Sequence, residues 1–301
     1  MPSHHIEIVQ AMVSQFGEKV ASFREIEGLG AVNYVYVIGT SQGEWVVRFH
    51  RDPLDNDDYE KEAWCLETIG SIGVPVPEFV GRGHQGEIPF IVQRFVEGHN
   101  ADVHRSPHLW KTLGAYCRAI NDLPLDDSVP DSLFPRFGRD LIGNWLAHIE
   151  YNLEQLASDD TLIELGAYDR RHQKVLRDRF RKLHDRVNTF GLTHGDLVPK
   201  NVLLDPTGTP VVIDWGSAGT GPSPYDDFNR IWSDPGSEEF SEQDLQWFAE
   251  GYGVALEPML ATMKDLYLLG RVDVVRWAID HRPDRIPELA QKARQVTDRW
   301  L

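Results

Sequence analysis

Apolar residues change their spacing several times along the chain, and each change marks an element. Ile6, Val9, Met12, Val13 and Phe16 recur at helical spacing and stop at Gly17. Residues 21–51, "ASFREIEGLGAVNYVYVIGTSQGEWVVRFHR", are rich in β-formers, with Val32, Tyr34, Tyr36 and Ile38 in alternation and a turn at 40–43 before "EWVVRF". "DNDDYEKEAWCLETIGSIG" returns to helical spacing, with Asp55, Asp57 and Asp58 enriching its start. The prolines of "VPVPEFVGRG" force an extended path, and "IPFIVQRFVEG" reads as another strand that ends at Gly98.

After Gly98 the pattern becomes mostly helical. "HLWKTLGAYCRAINDL", the charged stretch from Leu141 to about Val187, and Ser241 to Leu301 all carry helical periodicity. One β-rich segment interrupts them, "LTHGDLVPKNVLLDPTGTPVVIDWGSAG" from Leu192 to Gly219. The expectation is an α+β chain. A small sheet-containing lobe spans 1–98, and a larger, mainly helical lobe spans 99–301.

Inside the β-rich segment, "NVLLD" and "PVVIDW" read as the arms of a hairpin with "PTG" between them. A hairpin brings its outer ends together, so Asn201 and Asp214 become neighbours, with Asp196 on the preceding loop. Singly, an Asp or Asn beside a strand is ordinary turn chemistry. Together they form an oxygen-rich cluster that suits a hard cation such as Mg²⁺, with a further carboxylate able to orient a hydroxyl and accept its proton. These are the needs of phosphoryl transfer.

Composition narrows the partners. Forty-seven acidic against 30 basic residues give a net charge of −17, a field that repels nucleic acid and favours a cationic small molecule. No apolar run approaches the ~20 residues of a membrane span. Two cysteines, Cys65 and Cys117, make no disulfide framework, and "MPSHHIEIVQAMVSQFG" lacks the charged start and apolar core of a signal peptide. The expected compartment is the cytoplasm.

His194-Gly195-Asp196-Leu197-x-x-x-Asn201 resembles the kinase catalytic loop H-R-D-L-x-x-x-N, with glycine for arginine, and Ile213-Asp214-Trp215 stands where kinases carry D-F-G. With "GPSPYDD" following, the segment resembles the aminoglycoside phosphotransferase family, which has a bilobal protein-kinase-like fold. The resemblance implies that Asp196 is the catalytic base, that Asn201 and Asp214 hold Mg²⁺, that His194 braces the loop, and that Asp226 hydrogen-bonds the catalytic loop. Because Gly195 replaces the arginine of kinases that switch through a phosphorylated loop, it also implies a constitutively active enzyme.

In the N-terminal lobe the resemblance assigns the nucleotide site. Gly28, Gly30 and Asn33 lie in a turn whose backbone can approach phosphates. Arg48 takes the place of the kinase lysine, and Glu62, with Glu60 as its rival, is the helix carboxylate that pairs with it. The Arg94 carbonyl and the Val96 N–H would meet the base of ATP or GTP, with Gln93 just behind. No G-x-x-x-x-G-K-[ST] occurs, which excludes a P-loop.

The acceptor is expected to be the hydroxyl of a cationic aminoglycoside-like molecule near Asp234, Glu238, Glu239, Asp273 and Asp280. Trp232, Trp247, Tyr252, Tyr267 and Trp277 are either stacking surfaces or core. Macrolide, choline, homoserine and methylthioribose types are the alternatives within the same fold. A nucleotide-binding pseudokinase is a further alternative, and the presence of Asp196, Asn201, Asp214 and Arg48 together argues against it.

Overall fold

Alternating apolar residues build a sheet with one face against a helix. The structure is a computed structural model that describes residues 3–26, 33–50, 59–157, 159–232 and 239–301. A helix α1 (Ser3–Ser14) precedes a five-stranded antiparallel sheet of β1 (Ser22–Glu25), β2 (Asn33–Thr40), β3 (Gly43–His50), β4 (Phe79–Gln85) and β5 (Ile88–Arg94), in the order β1-β2-β3-β5-β4. The register pairs Tyr36 with Val47 and Ile38 with Trp45. These side chains bury against Val9, Met12 and Val13 of α1. Gly81 of β4 has no side chain because Phe16 lies over it: a Cβ there would come within 2.2 Å of the ring.

Between β3 and β4 lies α2 (Tyr59–Ser71), whose Cys65, Leu66 and Ile69 pack into the core of the helical lobe beside Trp110. The expected strand to Gly98 ends earlier, at Arg94, although the Phe95 N–H still reaches Glu44 O of β3; a short β6 (His99–Asn100) then pairs with the next sheet instead.

The remaining chain comprises α3 (Pro107–Asn121), α4 (Leu141–Gln155), α5 (Thr161–Glu164), α6 (Gln173–Arg186), β7 (Phe190–Thr193), β8 (Val202–Leu204), β9 (Pro210–Val212), β10 (Gly219–Pro222), α7 (Tyr225–Ile231), α8 (Glu242–Tyr252), α9 (Glu257–His281) and α10 (Ile286–Trp300). The stretch expected to be helical from Leu141 to Val187 is broken into three helices. Asp160 caps α5 through the Leu162 N–H, and Gly166, at φ +76°, follows its end. Helices α3 and α8 cross backbone to backbone, since Cβ atoms on Gly114 and Gly251 would meet main-chain oxygens at 2.1 and 1.9 Å. Among the described residues no helix is long and apolar enough to cross a membrane.

Candidate active site

Two small sheets present the polar loops. β8 and β9 form the expected hairpin, with Val202 opposite Val212, and Ile213 N–H donates to Asn201 O at 2.9 Å. β7 pairs with β10, Thr193 opposite Gly219. The loop 194–201 therefore leaves one sheet and enters the other, with apolar strands anchored at both ends. Val202, Val212, Leu197 and Val198 are core residues that fix the loop from behind, so its carboxylates lie directly beside buried runs.

Asp196, Asn201 and Asp214 come together at the ends of this hairpin. Asn201 Nδ2 donates to both the Asp196 carbonyl and Asp196 Oδ2, each at 2.8 Å. Asp214 adopts the left-handed conformation at φ +65°, which costs a non-glycine residue about 1–2 kcal/mol. Its side chain is more than half exposed and lies 3.8 Å from Arg48 Nη1. Gly195 is also left-handed, at φ +78°, and a Cβ there would sit 2.4 Å from the Ser217 carbonyl oxygen. Glycine at the position of the kinase arginine thus has a steric reason in this chain.

His194 is fully buried, its ring 4.5 Å from that of Trp215. Nε2 bonds the Ile213 carbonyl at 3.2 Å and Nδ1 accepts the Asp196 N–H at 3.3 Å, which requires the neutral Nε2–H tautomer. Burial agrees, since it pushes the imidazole pKa down against the nearby carboxylates.

The anchoring carboxylate differs from the one expected. Asp227, not Asp226, accepts the Gly195 N–H at 2.9 Å and the His194 N–H at 3.3 Å. The helical turn at the start of α7 points residue 227 at the loop, while residue 226 points about 100° away, toward β10 and a cavity against α9. Much of the surface of Asp226 is accessible from that cavity. Crowding by protein atoms and then the charge of Asp227 push its carboxyl pKa up to about 7.

Arg230, one turn after Asp227, was not anticipated. Its Nε donates to Asp196 Oδ1 at 2.5 Å, and the Lys200 ammonium lies 2.9 Å from Asp196 Oδ2. Burial works against ionisation of Asp196, but the hydrogen bonds from Lys200 and Arg230 win and hold its pKa below the usual carboxylate value. The sequence signal was Asp227 and Arg230 at a spacing of three on a helix, where both face one neighbour.

In the first lobe Arg48 forms an ion pair with Glu62, both side chains nearly buried. Burial lowers the tendency of Arg48 to hold its proton, but Glu62, Tyr59 and Asp214 together more than offset it. Glu60 instead faces Arg82 at 3.6 Å on the surface. Asn33 opens β2, where its Oδ1 accepts from the Tyr59 hydroxyl at 3.2 Å. Gly28 and Gly30 lie outside the described residues. The Arg94 guanidinium turns to the Gln42 carbonyl and the Trp45 ring, and Val96 follows Phe95, whose N–H donates to Glu44 O at 3.0 Å.

Among the described residues no three His, Cys, Asp or Glu side chains form a metal-binding group. Asn201 and Asp214 fit a cation that takes few protein ligands and completes its shell with phosphate and water, the habit of Mg²⁺. The Asn201 amide nitrogen is committed to Asp196, which turns its oxygen away as the acceptor, and the Asp214 carboxylate opens to solvent.

Two cavities of about 370 and 530 Å³ share Arg136, Gly270 and Val274 and run along α9. Asp226 and Tyr267 line the first; Asp273, Asp280 and Trp277 line the second. Asp273 is already engaged by Arg136 at 2.7 Å and His148 at 2.8 Å. Of the aromatic residues, Tyr252 is buried, Trp247 packs on the core and Trp232 stacks on Trp300, whereas Trp277 is 46% exposed. Asp234 and Glu238 lie outside the described residues, and Glu239 faces Arg230.

Comparison with known proteins places this geometry. Aminoglycoside 3'-phosphotransferase of Streptomyces fradiae is 30% identical over 175 residues, 54% of this chain and 59% of that protein, so the chain spans about three-fifths of the length of this curated relative. The fold matches the GDP complex of aminoglycoside 2'-phosphotransferase-IIIa with a TM-score of 0.69 at 20% identity, covering 99% of each chain. It matches choline kinase LicA from Streptococcus pneumoniae with a TM-score of 0.59 at 18% identity, covering 99% of this chain and all of that one. The architecture is the bilobal protein-kinase-like fold. The sequence pattern of the phosphotransferase enzyme family matches residues 23–266, a span that holds Arg48, Glu62, Asp196, Asn201, Asp214 and Asp227 alike, and the chain belongs to that family.

Proposed function

We propose that the protein is a small-molecule kinase that transfers the γ-phosphate of ATP or GTP to a hydroxyl of an aminoglycoside-like acceptor. The observation that carries this reading is the convergence of Asp196, Asn201 and Asp214 at one hairpin end, opposite the Arg48–Glu62 pair. Arg48 binds phosphate oxygens, and Glu62 keeps its guanidinium aimed at them. The backbone of Arg94 and Val96 receives the nucleotide base, and Gly28, Gly30 and Asn33 cover its phosphates. Asn201 and Asp214 hold Mg²⁺, which when bound neutralises phosphate charge. Asp196 orients the acceptor hydroxyl. As the hydroxyl oxygen bonds to the γ-phosphorus, the bond to the bridging oxygen of the nucleotide breaks and the proton passes to the carboxylate.

The acceptor lies against α7 and α9. The groove with Asp226, Asp280, Tyr267 and Trp277 offers carboxylates and ring faces to an amine-bearing molecule, in keeping with the acidic balance of the chain. Two free, buried cysteines fit a reducing compartment such as the cytoplasm.

The test is nucleotide consumption by the purified protein with Mg²⁺ against aminoglycosides, macrolides, choline and sugars, with Asp196→Ala as the blank. Turnover on an aminoglycoside that the substitution abolishes, with nucleotide affinity intact, is the expected result. Near-normal turnover in Asp196→Ala would remove Asp196 from its role; turnover on choline or a macrolide alone would replace the acceptor class.

A further inference from the structure

Asp196 carries more donors than a base needs. Oδ2 accepts from Asn201 and Lys200, which belong to the same loop. Oδ1 accepts from Arg230, which comes from α7. Arg230 has a second carboxylate within reach, since its Nη2 lies 3.5 Å from Glu239 Oε1. The Arg230 side chain is 27% exposed and that of Asp196 21%, so both groups of the contact can be reached from solvent. Glu239 is in turn held through its carbonyl, which accepts from Arg105.

A carboxylate that accepts a hydroxyl proton must offer that hydroxyl a lone pair. Arg230 takes one of the two lone pairs of Oδ1 with a charge-assisted bond, about twice as strong as a neutral donor's, so an incoming hydroxyl has to share that oxygen or displace the guanidinium. A water molecule competing for Oδ1 brings one ordinary hydrogen bond. An acceptor brings the binding energy of its whole body and can spend part of it on displacing the guanidinium.

We propose that Arg230 selects the acceptor hydroxyl over water: without acceptor it covers Asp196 Oδ1, and acceptor binding shifts it onto Glu239 and uncovers the base. This rests on the kinase reading of the site. With water in place of the acceptor, the water oxygen would bond to the γ-phosphorus, the bond to the nucleotide would break, the proton would pass to Asp196, and inorganic phosphate would be released. Arg230 suppresses that wasteful reaction.

The experiment measures phosphate release from Mg-ATP and from Mg-GTP without acceptor, and the affinity for each by calorimetry, in the wild type, Arg230→Gln, Arg230→Lys and Glu239→Gln. Arg230→Met, similar in length at a part-exposed position, stands in if Arg230→Gln does not fold. Losing one charge-assisted bond is expected to raise release about tenfold in Arg230→Gln. Arg230→Lys should fall between wild type and Arg230→Gln because an ammonium can also bond Oδ1, and Glu239→Gln should lower release because Arg230 then has only Asp196 to hold. Unchanged release in Arg230→Gln with nucleotide affinity intact overturns the proposal alone. Release that does not fall in Glu239→Gln overturns the two-position arrangement. A wild type that binds neither Mg-ATP nor Mg-GTP overturns the kinase reading, and this proposal with it.

Discussion

Asp227 Oδ1 accepts the Gly195 N–H at 2.9 Å from a fully buried position, so a carboxylate 32 residues downstream sets the path of the loop 194–201. Its second oxygen takes the His194 N–H. An amide has one acceptor oxygen, so Asp227→Asn turns an NH₂ toward one of these donors. Chemical denaturation should show a loss of about 1–3 kcal/mol, and kcat should fall more than nucleotide affinity. Asp226→Asn, which leaves both contacts in place, should keep the unfolding midpoint. Equal behaviour of the two variants would refute the assignment of the anchor to Asp227.

Gly195→Ala places a Cβ against the Ser217 carbonyl at a left-handed backbone position. The chain must shift or strain by about 1–3 kcal/mol, and the loop that carries Asp196 shifts with it. Transfer activity should drop by about tenfold or more while the protein stays folded at room temperature. Unaltered kinetics would show that the loop tolerates the displacement.

Glu62→Ala leaves the Arg48 guanidinium buried without its partner. Removing one member of such a pair costs about 3–5 kcal/mol, and the nucleotide KM should rise because Arg48 is no longer aimed. Glu60→Ala breaks only a surface contact at 3.6 Å and should stay within about 0.5 kcal/mol of wild type. A larger effect at Glu60 would reverse the choice between the two carboxylates.

Asp160 supplies an acid limit to stability. Burial opposes its ionisation, but the Arg276 fork at 2.5 and 2.9 Å, then the Tyr168 hydroxyl, hold its folded-state pKa below the ordinary value. A depressed carboxyl pKa gives stability that is full above the unfolded value, about 3.9, and is lost as pH falls through the folded one. The Tm difference between wild type and Asp160→Asn should therefore be widest near neutrality and shrink below about pH 4. A difference that does not vary with pH would show that packing, not charge, carries the contribution.

Much of this protein was legible in its sequence because the signals are local. Val35–Ile38 and Trp45–Phe49 declare β-strands through their own residues, and the hairpin around "PTG" brings Asn201 beside Asp214 by the geometry of pairing alone. The H-G-D and I-D-W spacing likewise marked Asp196, Asn201 and Asp214 without reference to the rest of the chain.

What tertiary structure decided were contacts between distant segments. Adjacent aspartates at 226 and 227 are alike in sequence, and only the rotation of α7 against the loop makes one an anchor and leaves the other facing a cavity. The same rotation brings Arg230 onto Asp196. Gly114 and Gly251 look like helix weak points until α3 and α8 cross through them. A period along one strand or helix tells which face is buried, but not which residue of another element will meet it. That depends on the angle and depth at which two elements pack, a property of the pair that neither segment encodes by itself.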